Sequence, residues 1–175
     1  MGTLVGDLLE LARASDTVNP ASTDLAALTE AVLDKARALG DRQWTLDEAA
    51  QVTCCLDPTR ITQAWLQLAQ NAVQYSADGT LIAIGSGADL QWARLWVRDR
   101  GIGIAPDDIK CVRQRFVRGT AGTESVAGSG LGLNIVESIA RAHGGHLDIE
   151  STPGVGSTFT LVIPQRPCGA SGETS

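Results

Sequence analysis

Three clusters of glycine constrain the fold of this chain most, because each lies beside a predicted element of regular structure. They occupy residues 99–103, 128–133 and 154–158. The first follows an apolar strand predicted over 91–98, whereas the second ends a polar loop and opens a helix. Free N–H groups at such a helix start can bind an anion, and glycine lets phosphate oxygens come close.

The cluster at 128–133 follows neither of two common phosphate-binding patterns. No Lys-Ser or Lys-Thr pair comes after it, which excludes a P-loop, and Leu133 takes the place of the third glycine in a dinucleotide-binding fingerprint. Considered alone, a cluster of this kind is a flexible turn more often than a phosphate site. Both interpretations stay open at this level.

Helical and strand patterns alternate along the chain. Asp57-Pro58 is a strong helix start, because a capping carboxylate is followed by proline in the first turn. The predicted helices cover 24–39, 58–75, 106–116 and 131–143. Residues 43–56 are predicted to form one or two strands, and further strands are predicted over 80–86, 91–98, 145–151 and 157–163. This order predicts an α/β (α+β) two-layer sandwich, with a mixed sheet of about five strands and three helices on one face.

The two ends of the chain differ from its middle. Residues 1–16 form a short helical pattern whose wide apolar surface must bury against something else. Residues 17–23 are typical of a linker, and 24–164 are predicted to be the domain itself. Residues 165–175 are rich in Gly, Ser and Pro, so we expect a disordered tail.

Composition limits the classes of partner. The net charge is -6, so no basic surplus exists to neutralise the phosphates of a nucleic acid. No run approaches the roughly 18 apolar residues of a membrane helix. The four cysteines show no CxxC pair and no metal-binding spacing, which predicts reduced packing residues in a cytoplasmic protein.

Two sets of polar side chains are candidates for binding. Asp99 ends an apolar strand, where its carboxylate either caps the turn or accepts a hydrogen bond from a ligand such as the amine of adenine. Gln67, Gln70, Asn71 and Gln74 form a stripe on one helix face. Such a stripe is usually a solvated face, although amide oxygens can also bind Mg²⁺.

The order of these motifs resembles the catalytic and ATP-binding domain of sensor histidine kinases, within the GHKL ATPase superfamily. The resemblance covers residues 24–163 and rests on five ordered segments. These are 57–76 for the N box, 99–104 for the first glycine box, 115–118 for the end of the F box, and 128–133 and 154–159 for the second and third glycine boxes. Ahead of them, residues 1–16 resemble only the last part of the family's second dimerisation helix, a remnant of the helix pair that carries the phosphoacceptor.

This resemblance implies ATP and Mg²⁺ as cofactors, with Asn71 as the metal ligand. The residues that it implies for the catalytic centre are Gln70, Asn71, Arg115 and Arg118. The residues that it implies around the nucleotide are Asn71, Gln74, Tyr75, Asp99, Gly101, Gly103, Ile104, Arg118, Gly128, Gly130, Leu131, Gly132 and Thr158.

Each part of this implied site has a role in the family. Asp99 would accept from the adenine amine, Tyr75 would cover the ring, and Thr158 would support the Asp99 end of the pocket. Residues 117–130 would form a lid, with the two arginines near the γ-phosphate. The glycines of the second box would cradle phosphates through backbone N–H groups.

Three residues depart from the family pattern. Gln67 stands where the N box has its first asparagine, Gln74 replaces a lysine that touches phosphate, and Arg113 replaces an aromatic residue of the F box. Losing a charged contact with phosphate weakens binding. We therefore expect a lower affinity for nucleotide than is usual in the family.

The chain has two histidines, and neither matches the family's phosphate acceptor. His143 and His146 flank Gly144-Gly145 at a predicted helix end, where both are expected to be ordinary turn residues. The resemblance therefore implies transfer of the γ-phosphate to a histidine on a separate domain or partner protein, which then passes it to a response regulator. Whether the chain is a split kinase or part of a longer one stays open.

Two other functions remain compatible with the same motifs. One is a serine kinase of the anti-sigma-factor type, which shares the GHKL core. The other is a non-catalytic module that binds nucleotide or only dimerises.

Overall fold

The computed structural model of the chain describes residues 18–109 and 131–166. Its strands are β1 Ala21–Asp24, β2 Gln43–Glu48, β3 Thr53–Leu56, β4 Leu81–Ala88, β5 Trp92–Asp99, β6 His146–Thr152 and β7 Gly156–Pro164. Its long helices are α1 Leu25–Ala36, α2 Pro58–Gln74 and α3 Leu131–Ala142. A further helix begins at Pro106, as predicted, and continues to the edge of the described range.

Five of the strands form one mixed sheet in the order β2-β4-β5-β7-β6. β2 and β4 run parallel, and the other neighbours are antiparallel. One face of the sheet packs on the helices, because Leu95 and Val97 of β5 share a buried cluster with Trp65 of α2 and Ile139 of α3. The predicted two-layer sandwich is confirmed.

α2 lies between the other two long helices, and its start follows from local sequence. The Asp57 carboxylate accepts hydrogen bonds from the N–H groups of Thr59 and Arg60, both at 3.1 Å. Pro58 adds a first-turn residue that needs no N–H partner. The buried face of the helix comprises Ile61, Ala64, Trp65, Leu68, Ala69 and Ala72. This face fixes which side of α2 turns outward, and the polar stripe lies on that side.

The ordered domain is larger than the sequence predicts. Residues 21–23, placed in the linker, form β1 together with Asp24, and this strand pairs with β3. Gln165 and Arg166, placed in the tail, hydrogen-bond to Gln91 and Cys55. These segments carry no alternating apolar pattern, so only their pairing reveals them. Residues 1–17 and 167–175 lie outside the described ranges, and so does the predicted helical pattern of residues 1–16.

The structure tests the prediction of reduced packing cysteines at two of the four positions, because Cys111 and Cys168 lie outside the described ranges. Cys54 is free and buried, and burial raises the pKa of its thiol. Cys55 is disulfide-bonded, so its prediction as a reduced packing residue is wrong. Adjacent strand residues point to opposite faces, and these two cysteines therefore meet different surroundings.

Within the described ranges, the helices are either too short or too polar to cross a lipid bilayer.

His143 ties the end of α3 to the start of α2. Its Nδ1 lies 2.8 Å from the carbonyl oxygen of Ile139, and its Nε2 lies 3.0 Å from the backbone nitrogen of Asp57. The ring can accept from the Asp57 N–H only when it is neutral with its proton on Nδ1. Burial lowers the pKa of His143, against the opposing effects of the Ile139 carbonyl and the Asp57 charge. His143 is thus more than an ordinary turn residue.

This contact makes the stability of the fold depend on pH. The folded-state pKa of His143 lies below the ordinary 6.5, so the unfolded chain binds the proton more tightly. We expect the free energy of unfolding to fall as the pH drops through 6.5, and the loss to be complete below the folded-state pKa. Urea unfolding across this range measures the slope.

Two variants locate the effect. His143→Leu should flatten the pH dependence and cost about 1 to 3 kcal/mol at neutral pH, because it leaves the Asp57 N–H unpaired. His146→Gln, which removes the other histidine from a half-exposed position, should keep the wild-type slope. An unchanged slope in His143→Leu would contradict this role.

Candidate functional site

Asp99 lies at the end of β5 and is only 4% exposed. Its Oδ1 accepts a hydrogen bond from the Gly101 N–H at 2.8 Å, and the Ser157 N–H is a second donor. Burial raises the pKa of Asp99, and these two hydrogen bonds oppose the rise. A carboxylate offers about four acceptor positions, so this buried group can still accept from a ligand.

The first glycine cluster forms a turn that leaves no room for side chains. A Cβ at Gly101 would overlap the carbonyl oxygen of Tyr75, which also accepts from the Ile102 N–H at 3.2 Å. Gly103 has φ 72, and a Cβ there would overlap the carbonyl oxygen of Thr152. The turn is therefore held between the end of α2 and the β6–β7 hairpin.

The third glycine cluster packs against the same turn. A Cβ at Gly156 would overlap the carbonyl oxygen of Asp99. The Ser151 hydroxyl accepts from the Ile104 N–H at 2.6 Å and lies 2.7 Å from the Ser157 hydroxyl. Two clusters that are far apart in sequence thus form one wall.

The register of β7 corrects the prediction for Thr158. Ser157 pairs with Asp99, whereas Thr158 pairs with Arg98. Because side chains alternate along a strand, Thr158 lies on the face opposite to Asp99, and Ser157 is the residue beside the carboxylate. The sequence did contain a feature that predicts this: Phe159 is apolar and should be buried, and Ser157, two residues earlier on the strand, shares its buried face.

Asn71 lies in the last turns of α2 with its amide Nδ2 buried and without a partner among the described residues. The nitrogen and oxygen of a carboxamide exchange places by a simple flip. The unpaired position therefore suits an oxygen ligand for a cation such as Mg²⁺. Gln67 and Asn71 are half-buried, and Gln70 and Gln74 are exposed.

The start of α3 approaches this polar stripe. A Cβ at Gly132 would lie 2.8 Å from the Gln67 Oε1, so only a glycine fits between the two helices without displacing the amide. The first N–H groups of a helix have no partner within the helix, and its dipole favours an anion there. No acidic residue occupies the first turn of α3. Phosphate groups would therefore find donors next to Gln67 and Asn71.

Part of the predicted site lies outside the described residues. This part comprises Arg113, Arg115, Arg118, Gly128 and Gly130. The roles of these residues, and of the lid over 117–130, stay predictions. Among the residues that are described, no group of His, Cys, Asp and Glu side chains could hold a metal ion by itself. A cation here would need Asn71 together with oxygens of the nucleotide.

Arg42, just before β2, makes contacts with the end of α2 that the sequence does not predict. Its guanidinium donates to the Ser76 hydroxyl at 3.0 Å and to the carbonyl oxygens of Val73 and Ser76 at 2.7 and 2.8 Å. These groups surround the end of α2 next to Tyr75. In sequence, Asp41-Arg42-Gln43 is typical of a solvated turn, so no local pattern predicted this contact.

Comparison with known proteins identifies the family. Residues 56–167 match the model described as histidine kinase-, DNA gyrase B-, and HSP90-like ATPase, which is more than half of the chain. The chain belongs to this ATPase family. The match confirms the resemblance to the GHKL superfamily, and it contains Asn71, Asp99 and all three glycine clusters.

Curated relatives of this ATPase domain are sensor kinases. The sensor-like histidine kinase SenX3 of Mycobacterium tuberculosis is 36% identical over 174 residues, which span 94% of this chain and 42% of SenX3. The phosphate regulon sensor protein PhoR of Pseudomonas aeruginosa is 35% identical over 167 residues, spanning 91% of this chain and 38% of PhoR. This chain therefore spans less than half the length of these relatives.

Two solved structures share the fold. The Acinetobacter baumannii histidine kinase AdeS superposes with a TM-score of 0.73 at 26% identity, covering 95% of this chain and 79% of that one. The full-length ShkA structure in complex with AMPPNP superposes with a TM-score of 0.77 at 25% identity, covering 94% of this chain and 36% of that one.

Proposed function

We propose that this chain is the ATP-binding catalytic domain of a sensor histidine kinase, which transfers the γ-phosphate of ATP to a histidine on a separate domain or partner protein. The observation that carries the proposal is the buried Asp99 carboxylate, which keeps acceptor capacity beside the closely packed first and third glycine clusters. The complex of the related ShkA with AMPPNP supports an adenine nucleotide as ligand.

The pocket around Asp99 would hold the base. The carboxylate would accept from the exocyclic amine of adenine, and the turn through Gly101, Gly103 and Ile104 would shape the space around the ring. Tyr75, half-buried at the end of α2, would cover the ring. Ser157 would support the carboxylate in place of Thr158.

The gap between α2 and α3 would hold the phosphates. Mg²⁺, when bound, supplies the positive charge that neutralises the phosphate oxygens during phosphoryl transfer. Asn71 would be its protein ligand, and the N–H groups of Leu131 and Gly132 would bind phosphate oxygens. Gln70 and Gln74 lie on the same polar stripe of α2 as Asn71, and Gln74 carries no charge to attract a phosphate.

Other predicted residues complete this proposal from outside the described ranges. They are Arg115, Arg118, Gly128 and Gly130, which would contact the phosphates from the lid. This type of reaction depends mainly on positioning and charge neutralisation, so the domain needs no strong base of its own. A cytoplasmic setting belongs to the proposal because ATP is the phosphate donor. A response regulator would receive the phosphoryl group from the partner histidine.

The isolated chain should not phosphorylate itself. Both ring nitrogens of His143 are engaged, and His143 follows a helix of 12 residues whose start faces the phosphates. That length is about 18 Å at 1.5 Å per residue, whereas transfer needs contact at about 3 to 3.5 Å. We expect labelled ATP to mark only an added partner that presents a histidine on a helix.

The chemistry of the label separates the candidate functions. Acid-labile label on the partner indicates phosphohistidine, whereas acid-stable label indicates the serine kinase. Nucleotide binding without any transfer indicates the non-catalytic module. Acid-labile label on the isolated chain that disappears in His146→Gln would overturn transfer to a separate histidine.

A further inference from the structure

Arg42 has the environment of a structural anchor rather than of a surface charge. Its side chain is 6% exposed, whereas the other arginines that form ion pairs in the described ranges are 44 to 67% exposed. A guanidinium has five N–H donors, and here the three nitrogens make five hydrogen bonds. Besides the three bonds at the end of α2, they reach the Asp41 carbonyl at 2.9 Å and the Asp78 carboxylate at 2.6 Å.

These hydrogen bonds satisfy the end of α2. The last carbonyl groups of a helix have no partner within the helix, and a positive charge there is favoured by the helix dipole. Arg42 pairs with the Val73 and Ser76 carbonyls, and the Ser76 hydroxyl donates to the Ala72 carbonyl at 2.6 Å. α2 itself carries no basic residue in its last turn. Arg42 supplies that charge from another part of the chain.

The turn that Arg42 binds, residues 73–76, also contacts the first glycine cluster. Tyr75 lies between the two residues whose carbonyls bind Arg42, and its N–H donates to the Asn71 carbonyl at 3.1 Å. The Tyr75 carbonyl accepts from the Ile102 N–H and excludes any side chain at Gly101. A shift of this turn would therefore move the wall of the base pocket.

We propose that Arg42 is a positioning residue of the nucleotide site, holding the last turn of α2 in the register that lets the pocket accept an adenine base. This inference rests on the proposed nucleotide-binding function. Arg42 itself would touch neither base nor phosphate, and it would act through the Tyr75 carbonyl and the glycine turn.

Three variants test this role. Arg42→Lys keeps the positive charge but loses the planar fork of donors, and Ser76→Ala removes one acceptor from the same network. Asp78→Asn is the matched control, because it changes the partner that is 86% exposed and leaves the end of α2 untouched. Thermal unfolding followed by circular dichroism shows the temperatures at which each variant is folded, and the variants are compared at a temperature where all of them are.

Two measurements separate positioning from stability. Calorimetry with Mg-ADP and Mg-GDP gives the preference for adenine, which should fall about tenfold in Arg42→Lys and about threefold in Ser76→Ala, as expected for lost hydrogen bonds. Amide exchange without nucleotide should become about tenfold faster at Ile102 in the same variants. The Asp78→Asn control should keep the wild-type preference and exchange rate.

The outcomes are distinct. A folded Arg42→Lys variant with the wild-type preference for adenine and normal exchange at Ile102 would overturn the inference alone. If Arg42→Lys does not fold, Ser76→Ala decides the question by the same two measurements. A wild-type chain that binds neither nucleotide would remove the proposed function, and the inference with it.

Discussion

The Asn71→Ala variant should lose Mg²⁺-dependent ATP binding by about a hundredfold, the upper range for disturbing a metal site. The reason is that Asn71 is the amide whose buried end has no partner in the described structure, and that it follows Gln67, the residue approached by Gly132 of α3, by one turn of helix. Calorimetry with ATP, with Mg²⁺ present and with Mg²⁺ chelated, measures the effect. The two proteins should differ only when Mg²⁺ is present.

Stability provides an independent check on the same variant. A buried polar atom without a partner costs free energy, so its removal should leave the free energy of unfolding unchanged or raise it slightly. Gln63→Ala is the matched control, because it removes an amide two turns earlier on α2, about 12 Å away at 1.5 Å per residue. A similar loss of Mg²⁺ dependence in both variants, or in neither, would refute the assignment of Asn71.

The Asp99→Asn variant should bind ATP at least tenfold more weakly and lose its preference over GTP. A hydrogen bond to a charged group is worth about 1.5 to 3 kcal/mol, and an amide can donate to the carbonyl of guanine, which a carboxylate cannot. In the wild type, burial raises the pKa of Asp99 above its usual 3.8. As the pH is lowered, Asp99 should therefore become protonated, and ATP affinity should begin to fall, at a higher pH than for an exposed aspartate.

Asp89→Asn is the control for this change. Asp89 lies in the turn at the other end of β5, where it pairs with Arg94 on the surface. The same chemical substitution there should leave nucleotide affinity and base preference unaltered. Equal binding of ATP and GTP by the wild type would instead mean that Asp99 only caps its turn.

The local sequence was sufficient to predict the three long helices and the strands of the five-stranded sheet. Asp57 caps α2 by accepting from the N–H groups two and three residues ahead, so adjacent residues determine where the helix begins. The alternation of β5 in the same way buries Leu95, Val97 and Asp99 on one face. The order of the motifs then identified the family, because each motif is a short local pattern.

The tertiary structure decided the contacts that join distant residues. His143 meets Asp57 across 86 positions of sequence, and Arg42 meets Ser76 across 34. Likewise, Ser157 rather than Thr158 lies beside Asp99 because of the register between β5 and β7. The residues near Arg42 and His143 are typical of exposed turns, since local patterns record which groups lie close along the chain. Burial and register depend on how the sheet and helices pack, and these determine which polar groups support the site.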